Sequence, residues 1–434
     1  MTALSKNMLC GYRVIDLTQF VAGPTCTRIM AELGAEVIKV ELAPHGDRGR
    51  MSGMKPLDEE RRDSSASTYY FQHNHSKKSL GLDIKSEEGR AILLELVGKS
   101  DVLVENFSPG VMKRMGFGYD DLKKVNPGLV MCSISLAGQE GELSGQPGFD
   151  YMGAAYAGVT HGLGEPDRAP AQLPIAIGDS ATGIAAAMAV GYALLHRERT
   201  GEGQYVESSL IDTYFHMHEV NVPKVAIRGA DAMPGRSGSM HPDGGPTGVF
   251  RTPGDTYIAI MVMPYQWPQL VAALGKPELA DDPRFTRPRD RRDNKEALRD
   301  VVEAWLATFA TREDALDALR RARIPCAPVL SLQEAADHPH LVERGTVRRV
   351  NDRHIGAFKI PGMPVRFSRW PHERNPEASL LGEDNEYVLG TVLGRSRGDI
   401  AKLYGTGALV RDPLIETEGD ACHASAPSGE KPAA

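Results

Sequence analysis

The stretch GYRVIDLTQFVAGPTCTRIMAELGAEVIKVEL, residues 11–42, decides the fold class. YRVIDL (12–17) and EVIKVEL (36–42) are apolar, β-branched runs, and TCTRIMAELG (25–34) between them reads as a helix ended by Gly34. A strand, a helix and a second strand form one right-handed crossover whose strands lie parallel. The alternation continues through a helix at SEEGRAILLELVGKS (86–100) and strands at DVLVENF (101–107) and LVMCSISL (129–136). The expected fold is α/β, with a Rossmann-like large domain on a parallel sheet. The first turn reads VAGPTC, without GxGxxG, so no nicotinamide or flavin nucleotide is expected.

Further along, residues 222–248 are rich in Gly, Pro, Ser and Asp. A strand pair with Gly254 and Asp255 at its tip follows, then amphipathic helices at 294–309 and 312–324. We therefore expect residues 1–224 to form the large domain and 225–335 a smaller α+β domain. Residues 336–411 should return to complete the large domain, and the polar segment 412–434 should be disordered. With 434 residues, 41% of them hydrophobic, the chain can bury cores of that size.

A net charge of −7 and a pI near 6.0 argue against nucleic-acid or anionic-membrane partners. Five scattered cysteines without CxxC spacing suit a reduced, cytoplasmic protein, and they make no metal site. No secretory signal is visible. The longest uncharged apolar stretch, Ala181 to Leu195, is too short for a membrane span and predicts a buried helix. TRPRDRRDNK (286–295) interleaves arginines with Asp290 and Asp293, as a solvated helix entry does. His73 and His75 have no third metal ligand nearby in sequence.

The segment IAIGDSATGIAAAMAVGYALLHRERTGEGQYVE (175–207) carries the candidate chemistry. It sets Asp179 between an apolar, strand-like run and a long small-residue helix, and closes through a Gly-rich turn into another strand. An Asp at a helix start faces unpaired N–H groups and the positive end of the helix dipole, which predicts an ionised, oriented carboxylate at neutral pH. That suits a nucleophile. Most Asp residues so placed are simple caps, so this window alone does not decide.

Five strings in order do. DLTQFVAGPTCTRIMAELGAEVIKVE, KKSLGLDIKSEEGR, DVLVENFSPGVMKRMGFGYDDLKKVNPGLV, IGDSATGIAAAMAVGYALLHRERTGEGQYVESSL and DDPRF…RIPCAPV resemble the class III coenzyme A-transferases, the formyl-CoA and carnitine CoA-transferase (CaiB/BaiF-like) family. The resemblance implies CoA transfer from an acyl-CoA donor to a small carboxylic acid, with Asp179 as nucleophile and no permanently bound cofactor. It implies an entwined, ring-like homodimer. It also implies substrate contacts at Gln19, Phe20, Leu82, Asn106, Phe107 and Arg114, and a loop carrying Gly244 and Gly245 near the intermediate. Leu42 and Ser135 stand where that comparison expects Arg and Lys; Lys77, Lys78, Arg48 or Arg50 are the cations open to compensate for those two contacts, beside Arg114 near the phosphates. Arg236 and His241 are the loop groups open to a second substrate carboxylate. An α-methylacyl-CoA racemase is the alternative on the same fold. It needs a His as partner base, and Gly148-Phe149-Asp150 holds Phe in that place.

Overall fold

A computed structural model describes residues 7–57, 59, 62–229, 232–233, 235–242, 244–369 and 376–415. Its frame is a six-stranded, all-parallel sheet of β1 (Arg13–Asp16), β2 (Glu36–Leu42), β3 (Lys78–Leu82), β4 (Val102–Glu105), β5 (Val130–Ser135) and β6 (Tyr205–Ser209), in the order 3-2-1-4-5-6. That order reverses direction between β1 and β4. In such sheets ligands bind at the strand C-terminal ends beside the reversal, here the loops after Asp16 and after Glu105.

Both sheet faces are covered. One apolar core joins Ile15, Ile38, Leu80 and Leu103 to Leu93, Leu96 and Leu389; the other joins Val14, Val37 and Cys132 to Cys26, Met30, Ala186 and Val190. The Ala22–Glu32 and Ile177–Thr200 helices pack against each other on the second face, and Gly183 permits the approach. A Cβ there would lie 2.4 Å from the Ala22 carbonyl oxygen and 2.7 Å from Thr25 Cβ.

The chain divides into two compact units, and the expected boundaries shift. The described parts of Met1–Gly153, Ile175–Tyr214 and Val342–Ala434 form the larger unit; Ala154–Pro174 and Phe215–Leu341 form the smaller. The excursion at Ala154–Pro174 was not expected from composition. In the larger unit the returning segment caps the β3 edge, where Gly81 N–H donates to Asn385 Oδ1 (2.9 Å) and Ser79 N–H to Asp384 Oδ2 (2.8 Å). In the smaller unit an antiparallel sheet of β7 (Thr247–Thr252), β8 (Thr256–Met261) and β9 (Cys326–Pro328) packs with Trp267, Phe285 and Leu298. β10 (Val347–Asp352) and β11 (Gly356–Pro361) pair as a hairpin in the larger unit.

Three local expectations need correction, and two elements were missed. The apolar run before Asp179 is not a strand: Ile175 is 63% exposed, and Ile177 N–H closes a tight turn onto the Ile175 carbonyl. The Ile177–Thr200 helix is not simply buried, because Ile184, Met188, Tyr192 and Leu195 line an exposed face. By length and composition alone this helix could cross a membrane; its other face packs in the apolar core just described. Asp412 is not part of a loose tail, being 1% exposed and accepting the Ser65 N–H; residues 416–434 lie outside the described residues. Finally, the Thr68–Asn74 helix and β3 had no sequence assignment. Three of the run's arginines are solvated as expected, Arg287 on Asp290 and Arg289 and Arg292 on Asp293, but Arg291 is buried, donating to the Phe285 and Thr286 carbonyls.

Candidate active site

Asp179 sits in the first turn of the Ile177–Thr200 helix. The first N–H groups of that turn do not bond its own carboxylate. Asp179 N–H donates to Asp150 Oδ1 (2.8 Å), and Gly178 N–H donates to the Tyr214 hydroxyl (3.0 Å). Tyr214 in turn donates to Asp150 Oδ2 (2.9 Å). Gly178 leaves room for this arrangement, since a Cβ there would lie 2.0 Å from Tyr214 Cε2. Asp150 therefore occupies the helix N-terminus, and Asp179 stands half-buried beside it. Burial and the neighbouring Asp150 charge push the Asp179 carboxyl up to about 7. The expectation of a fully ionised carboxylate at neutral pH is thus corrected: desolvation and a like charge outweigh the helix dipole.

Tyr69, on the Thr68–Asn74 helix, feels the charge of the same carboxylate. Burial and the charges of Asp179 and Asp47 push its phenol up to about 12. It remains a neutral hydrogen-bond donor across physiological pH. Beside Asp150, the Phe149 ring meets Phe20 edge-to-face with centroids 5.9 Å apart. Sequence reading missed Tyr69, Asp150 as a partner of Asp179, and Tyr214. No local pattern marks them, because the contacts join segments far apart in the chain.

The predicted contact residues divide. Gln19 and Phe20 lie in the loop after β1, and Asn106 and Phe107 in the loop after β4, so the sheet reversal brings all four together. Asn106 spends its amide on the Gln19 backbone, accepting from Gln19 N–H (2.8 Å) and donating to the Gln19 carbonyl (2.9 Å). Phe107 packs partly buried against the core, its N–H bound to Glu105. The Leu82 side chain is fully buried in the apolar core. Arg114 is exposed on the short Val111–Arg114 helix.

Two suggested phosphate cations are also removed. Lys77 is buried on Asp16, Asn74 and the Pro24 carbonyl, and Arg50 is buried in a two-pronged ion pair with Glu41. Lys78 pairs with Asp384 and stacks on Tyr387, whereas Arg48 is exposed. Gly244 and Gly245 belong to the smaller unit, where they line a cleft of about 210 Å³ with His241, Met261, Met263 and Arg291. Arg236 donates to the Glu165 and Pro166 carbonyls. His73 and His75 are buried against Tyr69 and Phe71, and burial with nearby cations pushes both rings down, His73 to about 3.

The fold is that of an α/β protein with a parallel sheet whose order reverses beside β1. The pattern of CoA-transferase family III matches residues 9–385. The chain belongs to that family, and it is a class III CoA-transferase. It is 34% identical to the formyl-CoA:oxalate CoA-transferase of Streptomyces coelicolor over 94% of this chain and 100% of that protein. It is 35% identical to the acetyl-CoA:oxalate CoA-transferase of Acetobacter aceti over 88% and 95%. The crystal structure of a CAIB/BAIF family protein from Brucella suis matches with a TM-score of 0.77 at 29% identity, covering 89% of this chain and 100% of that one.

Proposed function

We propose that this enzyme moves CoA between two carboxylic acids through covalent intermediates on Asp179. The observation that carries the reading is this carboxylate, half-buried in a helix first turn, with Asp150 fixing its backbone. The ionised Asp179 oxygen attacks the donor thioester carbonyl. The C–S bond breaks, giving a mixed anhydride and CoA thiolate. The thiolate attacks the Asp179 carbonyl and displaces the donor acid, leaving an aspartyl-CoA thioester. The acceptor carboxylate then attacks that carbonyl and releases CoA thiolate, which takes the acceptor acyl group and frees Asp179. Each step exchanges acyl derivatives of similar energy, so neither ATP nor a resident cofactor is needed. The Tyr69 hydroxyl supplies a donor for negative charge developing at the Asp179 carbonyl.

Racemisation has no support from relatives that transfer CoA to oxalate, and Phe149 cannot carry a proton. A homodimer belongs to the same proposal. Its support is the apolar face of Ile184, Met188, Tyr192 and Leu195 on one helix, 42–66% exposed. Free, scattered cysteines suit a cytoplasmic setting.

The direct test is hydroxylamine trapping during turnover. With an acyl-CoA donor and a carboxylate acceptor, Asp179 should be recovered as the hydroxamate by peptide mass spectrometry. Turnover that leaves Asp179 unmodified, or uptake of α-deuterium without an acceptor, would overturn the reading. A pH profile provides a second check. The first half-reaction should rise as Asp179 ionises, with a midpoint near pH 7. Asp150→Asn removes the like charge but keeps an oxygen for the Asp179 N–H, so the midpoint should fall by about one unit.

A further inference from the structure

The loop after β1 is held in a way that its position does not require. From Thr18 to Phe20 the backbone groups bond to side chains from three directions. Asp16 Oδ1 accepts Thr18 N–H (2.8 Å), and Lys39 Nζ donates to the Thr18 carbonyl (2.6 Å). Asn106 brackets the N–H and the carbonyl of Gln19. Asp47 Oδ1 accepts Phe20 N–H (3.2 Å). The two carboxylates are tied through Lys39, 3.0 Å from Asp47 and 3.8 Å from Asp16, all three fully or almost fully buried. Phe20 has φ +66°, a left-handed conformation sparsely populated by residues other than glycine. Strain of this kind persists only where surrounding structure over-determines it, and it concentrates at functional sites. Two groups of the segment are left unengaged by the clamp: the Gln19 amide and the Phe20 ring, which meets Phe149 next to Asp150.

We propose that Asn106, Asp47 and Lys39 are positioning residues that hold Gln19 and Phe20 in one shape against the acyl group on Asp179. This rests on the covalent CoA-transfer reading above. It also gives Asn106 a different task from contacting the CoA chain: it acts through Gln19. A preset clamp spends no entropy during the reaction, whereas a free Thr18–Phe20 segment would have to be ordered at each turnover.

The test pairs Asn106→Ala with Gln19→Ala in a double-mutant cycle, read by kcat, donor KM and amide hydrogen exchange. In N106A the Gln19 and Phe20 amides should exchange faster while those of β1 stay protected. Its kcat should fall about 100-fold with donor KM changed about twofold or less. In the Gln19→Ala background, N106A should add well under its single-variant loss of about 100-fold, because the share carried by the Gln19 side chain is already gone. If N106A fails to fold, Asn106→Asp keeps an acceptor for Gln19 N–H, loses the donor to its carbonyl, and is read in the same way. Unchanged exchange at Gln19 and Phe20 overturns the clamp. A raised donor KM with normal kcat, or losses that multiply independently, overturns the positioning role in favour of a direct CoA contact. A wild-type enzyme that transfers no CoA from any donor refutes the functional reading itself, and the positioning role falls with it; the exchange data still decide the clamp.

Discussion

Asp179→Asn keeps the fold and lowers CoA transfer by about 10⁴-fold or more, because the amide cannot form the anhydride on which every later step depends. Asn fills the same space, so loss of activity with normal free-CoA binding isolates chemistry from affinity. Steady-state assays with a panel of acyl-CoA donors and carboxylates check it, and turnover within about tenfold of wild type would remove Asp179 from the mechanism. The same variant has a stability signature. Burial and Asp150 raise the folded-state pKa of Asp179 above its unfolded value, so this group's share of stability is complete in acid. That share is lost as pH climbs through about 7. Asn never ionises, so D179N should melt at a higher temperature than wild type at pH 8, and the two should converge near pH 4. A destabilised reactive carboxylate of this kind is the usual trade of stability for activity.

Asp16→Asn should produce the largest loss of stability. Asp16 is fully buried at the end of β1, 2.9 Å from Lys77 Nζ and 3.8 Å from Lys39 Nζ, and it accepts hydrogen bonds from Thr18 and Thr27. Burial alone would raise its pKa; the charges of Lys39 and Lys77 outweigh that and hold it well below the usual carboxylate range. Asn leaves Lys77 without its counter-charge in the interior, at a cost of about 3–5 kcal/mol in urea unfolding at pH 7. Replacing Lys77 by Met in the same chain should recover part of that loss, since it removes the buried charge left without a partner. A D16N loss of about 1 kcal/mol or less would show that the lysines escape to water. In the wild type, the stability carried by Asp16 is full above the ordinary carboxylate range and disappears as pH falls toward its lowered folded-state pKa.

The elements that sequence reading recovered are those whose signal is local. The runs 12–17, 36–42, 101–107 and 129–136 contain β1, β2, β4 and β5, because alternating strands and helices need only short-range periodicity. β3 escaped notice: KSLGL holds a glycine, and its edge is completed by Asn385 and Asp384, some 300 residues later. The run before Asp179 looked apolar enough for a strand, yet it has no neighbour to pair with and turns into the helix instead.

By itself the sequence determined the parallel α/β class, the Gly-marked helix–strand junctions and the placing of Asp179 at a helix start. It also carried the ordered strings that resemble the CoA-transferases. Tertiary structure alone decided the strand order, and with it the meeting of Gln19 with Asn106 at the sheet reversal. It decided as well that Asp150, not Asp179, takes the helix N–H, and that Lys77 and Arg50 are spent inside the protein rather than on phosphate. The physical reason is range. Periodicity and capping act within a few residues, whereas the charge on a carboxylate depends on whatever group the fold brings to within hydrogen-bonding distance.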